Sequence, residues 1–179
     1  MAAGTGELAA LLVLLMVAVS LPAALADRNF IAKTCNNTEH PDKCRALLAR
    51  DKRSVNATTV LALANIGLDV TADTARSIAG TMHQLSVGKY DGKTEGEALL
   101  QCTQVYGNAV EDLDEAREPL NSGEYGDASR LLSSAQDAGD ACEGAFSDRG
   151  VNSVVSDLDR RMKEQCGVAG DLIDLLGGV

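Results

Sequence analysis

The chain has 179 residues, of which 45% are hydrophobic and only 3% aromatic, and its formal net charge is −10. This length suits one domain together with a short processed segment. Such a net charge repels nucleic acid and anionic polysaccharide and favours basic partners, so nucleic-acid binding is excluded as a function.

The first predicted element is a signal peptide over residues 1–26. The stretch from Leu8 to Ala24 is almost wholly apolar, and the small residues of Ala24-Leu25-Ala26 offer a cleavage site before Asp27. A membrane anchor is the alternative, because no basic residue precedes the apolar stretch. The stretch is nevertheless short for a membrane span. We therefore expect secretion, and no membrane attachment of the mature chain.

Residues 27–54 are predicted to form a hairpin of two short helices. Pro41 suits the first turn of a helix, and Cys35 and Cys44 lie on either side of it. A disulfide between these two cysteines would close the hairpin.

Residues 55–179 contain four stretches in which apolar side chains recur at steps of three and four residues, as on one face of a helix. These stripes run from Leu61 to Leu85, from Leu99 to Leu120, from Ala128 to Ala145 and from Val151 to Leu176. Short glycine-containing turns separate them, and short turns favour antiparallel neighbours. We predict an all-α fold, an up-down-up-down four-helix bundle preceded by the hairpin, which forms a single domain over residues 27–179.

Five cysteines allow two disulfides in 15 ways. Cys102 and Cys142 lie on the stripes of adjacent antiparallel helices, each about 20 residues from the turn at Gly123, so we expect them to meet and pair. Cys166 then remains as a buried free thiol on the fourth stripe. A disulfide between two chains through Cys166 is the alternative. Two sequons, at Asn36 and Asn56, permit N-glycosylation in a secreted protein.

Catalytic and metal-binding patterns are missing from the sequence. The chain has no CxxC motif and only two histidines, His40 and His83. The acidic run at 111–115 lacks the Glu-x-x-His spacing of di-iron bundles, and we interpret it as a solvated helix face. We therefore predict no enzyme, no cofactor and no metal, and we expect the protein to act by binding another protein.

The cysteine layout and the residues around it resemble the plant invertase and pectin methylesterase inhibitor family. The matching stretches are Thr34-Cys35, Cys44 to Leu48, Ala98 to Cys102 with Tyr106 and Ala109, Tyr125 to Ala128, and Ala141 to Glu143. The resemblance covers essentially the whole mature chain. It implies a helical hairpin on a four-helix bundle, with disulfides Cys35–Cys44 and Cys102–Cys142.

The resemblance also implies a one-to-one complex with a plant carbohydrate enzyme, either pectin methylesterase or acid invertase. The Pro-Lys-Phe motif of invertase inhibitors is missing, since Tyr125-Gly126-Asp127 stands there. In contrast, Asp51-Lys52-Arg53-Ser54 is similar to the invertase-inhibitor branch. The Ser-Ala-Ala-Leu-Thr run of pectin methylesterase inhibitors is replaced by residues 133–137, where Asp137 stands in place of Thr. We expect pectin methylesterase to be the target and acid invertase to be the alternative.

The expected mechanism is steric: the bundle covers the substrate cleft of the enzyme. The residues predicted at the partner interface are Tyr125, Asp127, Asp137 and Asp140, whose carboxylates would meet a basic rim. We expect a monomer in the apoplast or cell wall, with the vacuole as the other location. A secreted helical signalling ligand is the alternative from another functional class.

Overall fold

The computed structural model describes residues 29–178, and this part of the chain is helical with no β-strand. The signal peptide predicted over residues 1–26 lies outside the described residues. Within the described part, none of the helices is both long enough and apolar enough to cross a membrane.

The predicted helical hairpin is present at the start of the described chain. Residues 29–35 form α1 and Pro41–Leu48 form α2, with Pro41 in the first turn, where a missing N–H costs nothing. A disulfide joins Cys35 to Cys44, and both cysteines are buried. The hairpin is thus held by the covalent bond that its sequence suggests.

The first long helix begins at Val60, five residues after residue 55, where the predicted four-helix region starts. Lys52–Asn56 forms a separate 3-10 turn, and α3 spans Val60–Val87. Thr59 is the N-cap of α3, and its hydroxyl oxygen accepts a hydrogen bond from the amide of Ala62 at 3.1 Å. A threonine satisfies a free N–H at this position, so the cap fixes where the helix starts.

Two of the four predicted helices are each divided in two. The second consists of α4 (Thr94–Glu115) and α5 (Arg117–Ser122), and the third consists of α6 (Tyr125–Gln136) and α7 (Ala138–Ser147). Pro119 accounts for the first break, because its ring clashes with the preceding turn and it has no N–H to donate. Gly123 ends α5 with a φ of +84°, as the turn at residues 121–123 predicted.

The fourth helix, α8, spans Ser156–Gly177 and does not reach back to Val151. The hydroxyl of Ser153 donates to Glu143 at 2.6 Å and accepts from the amide of Val155 at 3.3 Å. These bonds give the segment before α8 an alternative to helical hydrogen bonding. The predicted stripe therefore begins in a loop, although Val155 is still buried.

The helices pack in the predicted up-down-up-down order around one core. α3 lies against α4 and α8, and the α6–α7 pair also lies against α4 and α8. The α3–α8 side is therefore opposite the α4–α6 side. The hairpin helix α2 packs across α3 and α8.

Candidate functional site

The four residues predicted at a partner interface all lie on the α6–α7 pair. Tyr125 is the first residue of α6 and is half-buried, whereas Asp127 and Asp140 are exposed. Asp137 forms the exposed turn between the two helices. Tyr125 and Asp140 lie on different helices, with the break at Asp137 between them. The structure therefore places them along two consecutive helices and not in a single cluster.

Ion pairs engage two of these carboxylates. Asp140 pairs with Lys163 of α8 at 2.9 Å, and Asp127 lies 3.6 Å from Arg130, one turn along α6. All four side chains are mostly exposed, so these pairs contribute little to stability. Their carboxylates remain available to a partner.

Negative charge is concentrated on this side of the bundle. Residues 111–148 contain eleven acidic and two basic side chains, which accounts for nine of the ten net negative charges. The bases are Arg117, which pairs with Asp69 and Asp114, and Arg130. We call this surface the acidic face; its exposed carboxylates include Glu111, Glu115, Glu118, Asp127 and Asp137.

The acidic face rests on a rigid support. The Cys102–Cys142 disulfide joins α4 to α7 in the core, and Ser134 of α6 donates to the carboxylate of Asp112 on α4 at 2.7 Å. A surface that is already ordered loses little conformational entropy when it binds a partner. The geometry therefore suits the presentation of fixed charges to another protein.

The two sequons differ in their surroundings. Asn36 follows the disulfide-bonded Cys35, and its side-chain oxygen accepts from Arg45 at 2.9 Å. The threonine of this sequon, Thr38, is buried. Asn56 ends the 3-10 turn and is exposed. Of the two candidates, Asn56 has the more accessible surroundings.

Cys166 is a free cysteine inside the bundle, with 1% of its surface exposed. Burial raises the pKa of its thiol to about 12. A disulfide to a second chain would require the bundle to open, so the structure does not favour that alternative.

A buried polar network that sequence reasoning missed joins α4, α7 and α8. Tyr106 donates to Asp159 at 2.8 Å, and Asp159 is 4% exposed. Desolvation, followed by hydrogen bonding to Glu143, raises the pKa of Asp159 to about 8. The signal was present in the sequence, because Val155, Asp159 and Met162 keep helical spacing. The predicted stripe used the half-buried Leu158 instead.

This network is the place in the described chain where a carboxyl pKa is shifted most, yet it lacks the access that catalysis needs. Asp159 is almost fully enclosed, so a substrate cannot reach it. Among residues 29–178, no group of three or more histidine, cysteine or carboxylate side chains is arranged to hold a metal ion. The network stabilises the fold, and the acidic face is the better candidate for function.

The segment that is similar to the invertase-inhibitor branch is engaged in contacts within the chain. Arg53 bonds to Asp51 at 2.6 Å and to Asp69 of α3 at 2.7 Å, while Ser54 is buried. These bonds fix the 3-10 turn against α3. The segment thus has a structural role that requires no particular target.

Comparison with known proteins gives a consistent result over the whole described bundle. Residues 29–172 match the family model described as plant invertase/pectin methylesterase inhibitor. The pectinesterase inhibitor of Actinidia deliciosa is 25% identical over 160 residues, which cover 88% of this chain and 84% of that protein. Pectinesterase inhibitor 1 of Arabidopsis thaliana is 28% identical over 163 residues, covering 90% and 89%. A crystal structure of a pectin methylesterase inhibitor from Arabidopsis thaliana superposes with a TM-score of 0.58 at 26% identity, covering 83% and 96%.

Proposed function

The chain belongs to the plant invertase/pectin methylesterase inhibitor family, and from this premise we propose that it is a protein inhibitor of a plant pectin methylesterase. The observation that carries the proposal is the match to pectinesterase inhibitors along nearly their full length, since the relatives reported above are aligned over 84% and 89% of their own chains. The protein is a binding module and not an enzyme.

Acid invertase is the less favoured target. The family includes inhibitors of both enzymes, but the curated relatives described above are pectinesterase inhibitors. The one segment that pointed towards the invertase branch, around Arg53, is accounted for by its bonds to Asp51 and Asp69. It therefore supplies no separate argument for invertase.

The inhibition we propose is steric and has a one-to-one stoichiometry. The acidic face approaches a basic rim of the enzyme, with Tyr125, Asp127, Asp137 and Asp140 in the contact, and the bundle then blocks access of the polymer to the cleft. A stable contact of this kind buries about 1,200–2,000 Å² in all. Opposite charges speed association and orient the two proteins more than they raise affinity.

We propose that the protein works outside the plant cell, in the apoplast. Its two disulfides, Cys35–Cys44 and Cys102–Cys142, support this location, because such bonds persist in oxidising compartments. The exposed sequon at Asn56 agrees with it.

The test is a paired inhibition assay with the oxidised mature chain. Increasing amounts of the protein are added to a plant pectin methylesterase and, separately, to a plant acid invertase at mildly acidic pH. We expect loss of pectin methylesterase activity that is complete near one molar equivalent, with invertase unaffected. Inhibition of invertase alone would assign the other branch. Inhibition of neither enzyme, with both disulfides intact, would reject the proposal and favour a different binding role, such as that of a signalling ligand.

A further inference from the structure

A basic segment lies on the side of the bundle opposite the acidic face. Residues 41–53 contain five basic and two acidic side chains. They form α2 and the start of the 3-10 turn, which pack on α3 and α8. The formal charge of the whole chain does not describe this surface. The repulsion of anionic polysaccharide that the net charge predicts therefore does not extend to it.

A groove of about 380 Å³ lies between α2 and α8 on this side. Its apolar lining consists of Ala46, Leu47 and Val168, and its charged lining consists of Arg50, Arg161 and the ion pair of Lys43 with Glu164. A second groove of about 300 Å³ lies where the 3-10 turn meets α3 and α8, and the same two arginines line it as well. The two grooves therefore adjoin at Arg50 and Arg161. Each is within the size range of ligand sites in proteins.

The two arginines are available to a ligand. Within residues 29–178, neither Arg50 nor Arg161 forms an ion pair, whereas the neighbouring Lys43 pairs with Glu164 at 3.1 Å and Arg53 pairs with two aspartates. A guanidinium group offers a planar set of donors that fits a carboxylate with two parallel hydrogen bonds. The junction of the two grooves, where both arginines lie, is thus suited to a ligand carboxylate.

The second groove adds oxygen acceptors. Its lining includes Thr74, Ser77 and Thr81, together with Asp51 and Asp73, whose carboxylates pair with Arg53 and Arg76. Thr74 and Thr81 donate their own protons to backbone carbonyls at 3.0 and 2.9 Å, which leaves each hydroxyl oxygen as an acceptor only. Acceptors of this kind match the hydroxyl groups of a sugar. The apolar lining of the first groove matches the C–H face of a sugar ring.

We propose that this continuous groove binds an acidic oligosaccharide built from uronic acid residues. Carboxylates of the sugar contact Arg50 and Arg161, and its rings extend over Leu47 in one direction and towards Ser77 in the other. The site is on the α3–α8 side, so it leaves the acidic face free for an enzyme. The choice of galacturonate as the test ligand rests on the proposed function, because removal of methyl esters from pectin leaves galacturonate carboxylates.

The experiment is a calorimetric titration of the oxidised mature chain in calcium-free buffer at low salt. The probes are a fully demethylated oligogalacturonate and the same oligomer fully methyl-esterified. We expect saturable binding of the demethylated oligomer only. In the double variant Arg50→Gln/Arg161→Gln we expect Kd to rise about tenfold or more, since two charged hydrogen-bonding groups are lost.

The matched control is Arg130→Gln/Arg160→Gln, which removes the same charge from exposed positions that line neither groove. We expect its Kd to stay within about twofold of the unmodified protein. Absence of saturable binding would overturn the proposal. So would an equal loss in the control, or equal binding of the esterified oligomer. The groove variant should still inhibit pectin methylesterase, and this separates failure of the groove from failure of the proposed function.

Discussion

The hydroxyl group of Tyr106 on α4 donates a 2.8 Å hydrogen bond to Oδ1 of Asp159 on α8, in the interior of the bundle. Both side chains are buried, and the second oxygen of Asp159 has no hydrogen-bond donor within the described chain. Desolvation raises the pKa of Asp159, and the neighbouring carboxyl group of Glu143 on α7 raises it further.

This relationship makes the stability of the fold depend on pH. The pKa of Asp159 rises from 3.8 to about 8 on folding, so between these values the folded chain binds a proton that the unfolded chain has lost. Its contribution to stability is fully present below about pH 4 and is lost as pH rises through about 8, with a slope of up to ~1.4 kcal/mol per pH unit.

Asp159→Asn should remove this dependence, because an amide does not titrate there and keeps an acceptor for Tyr106. We expect urea unfolding to show a flatter pH profile for the variant, which should be the more stable protein at the alkaline end. Asp157→Asn, an exposed aspartate two residues earlier on α8, is the control. Parallel profiles for the unmodified protein and Asp159→Asn would contradict the assignment.

Tyr106→Phe should destabilise the fold by about 1–3 kcal/mol, because it removes the donor and leaves a buried oxygen unsatisfied. The measurement is the free energy of unfolding in urea at mildly acidic pH. Tyr90→Phe is the matched control, since Tyr90 is half-buried and forms no side-chain hydrogen bond within the described chain. Equal effects of the two substitutions would show that the Tyr106–Asp159 bond contributes nothing.

Removal of the two disulfides should have unequal costs. The Cys102–Cys142 bond closes a loop with a sequence separation of 40, and Cys35–Cys44 one of 9. Chain entropy gives about 4 kcal/mol for the first and about 2.6 kcal/mol for the second. Paired Cys→Ala variants, unfolded in urea, test the difference. A larger cost for the hairpin bond would indicate that loop entropy does not govern these effects.

Cys166 should resist thiol reagents in the folded protein. It is 1% exposed, and the pKa of its thiol is raised to about 12 by burial. The fraction of reactive thiolate at neutral pH is then about a thousandfold lower than for a cysteine of pKa 9. We expect slow labelling in buffer, rapid labelling in denaturant and a single-chain band on non-reducing electrophoresis. Fast labelling of the folded protein would mean that the bundle opens.

Neutralisation of the acidic face should slow complex formation with pectin methylesterase. In Asp127→Asn/Asp137→Asn we expect the association rate at low salt to fall about threefold to tenfold and to depend less on salt. Asp42→Asn/Asp91→Asn removes two exposed carboxylates away from this face and serves as the control. An equal loss of rate in the control would contradict the assignment of the interface to α6–α7.

The sequence by itself determined the class of fold and the two disulfides that stabilise it. The apolar stripes recur at helical spacing, and residues such as Leu68, Tyr106 and Ile173 are buried as those stripes predict. The hairpin around Pro41 and the antiparallel order of the helices also follow from local signals, because capping, turns and periodicity act over a few residues. Helix boundaries were less well predicted. The delayed starts of α3 and α8 depend on side-chain hydrogen bonds of Thr59 and Ser153, which compete with helical hydrogen bonding of the backbone before each helix.

Only the tertiary structure decided which charged side chains are buried and which of them lie together at the surface. It placed Asp159 against Tyr106, which is 53 residues away in the chain. Asp159 is therefore a buried carboxyl group with a raised pKa, and the sequence alone shows it only as one acidic residue among many. It also brought Arg50 and Arg161 to the lining of one groove, although 111 positions separate them in the sequence. Periodicity indicates which face of a helix is buried, but it does not specify what lies opposite. The pKa of a buried carboxyl and the lining of a groove depend on that opposite surface.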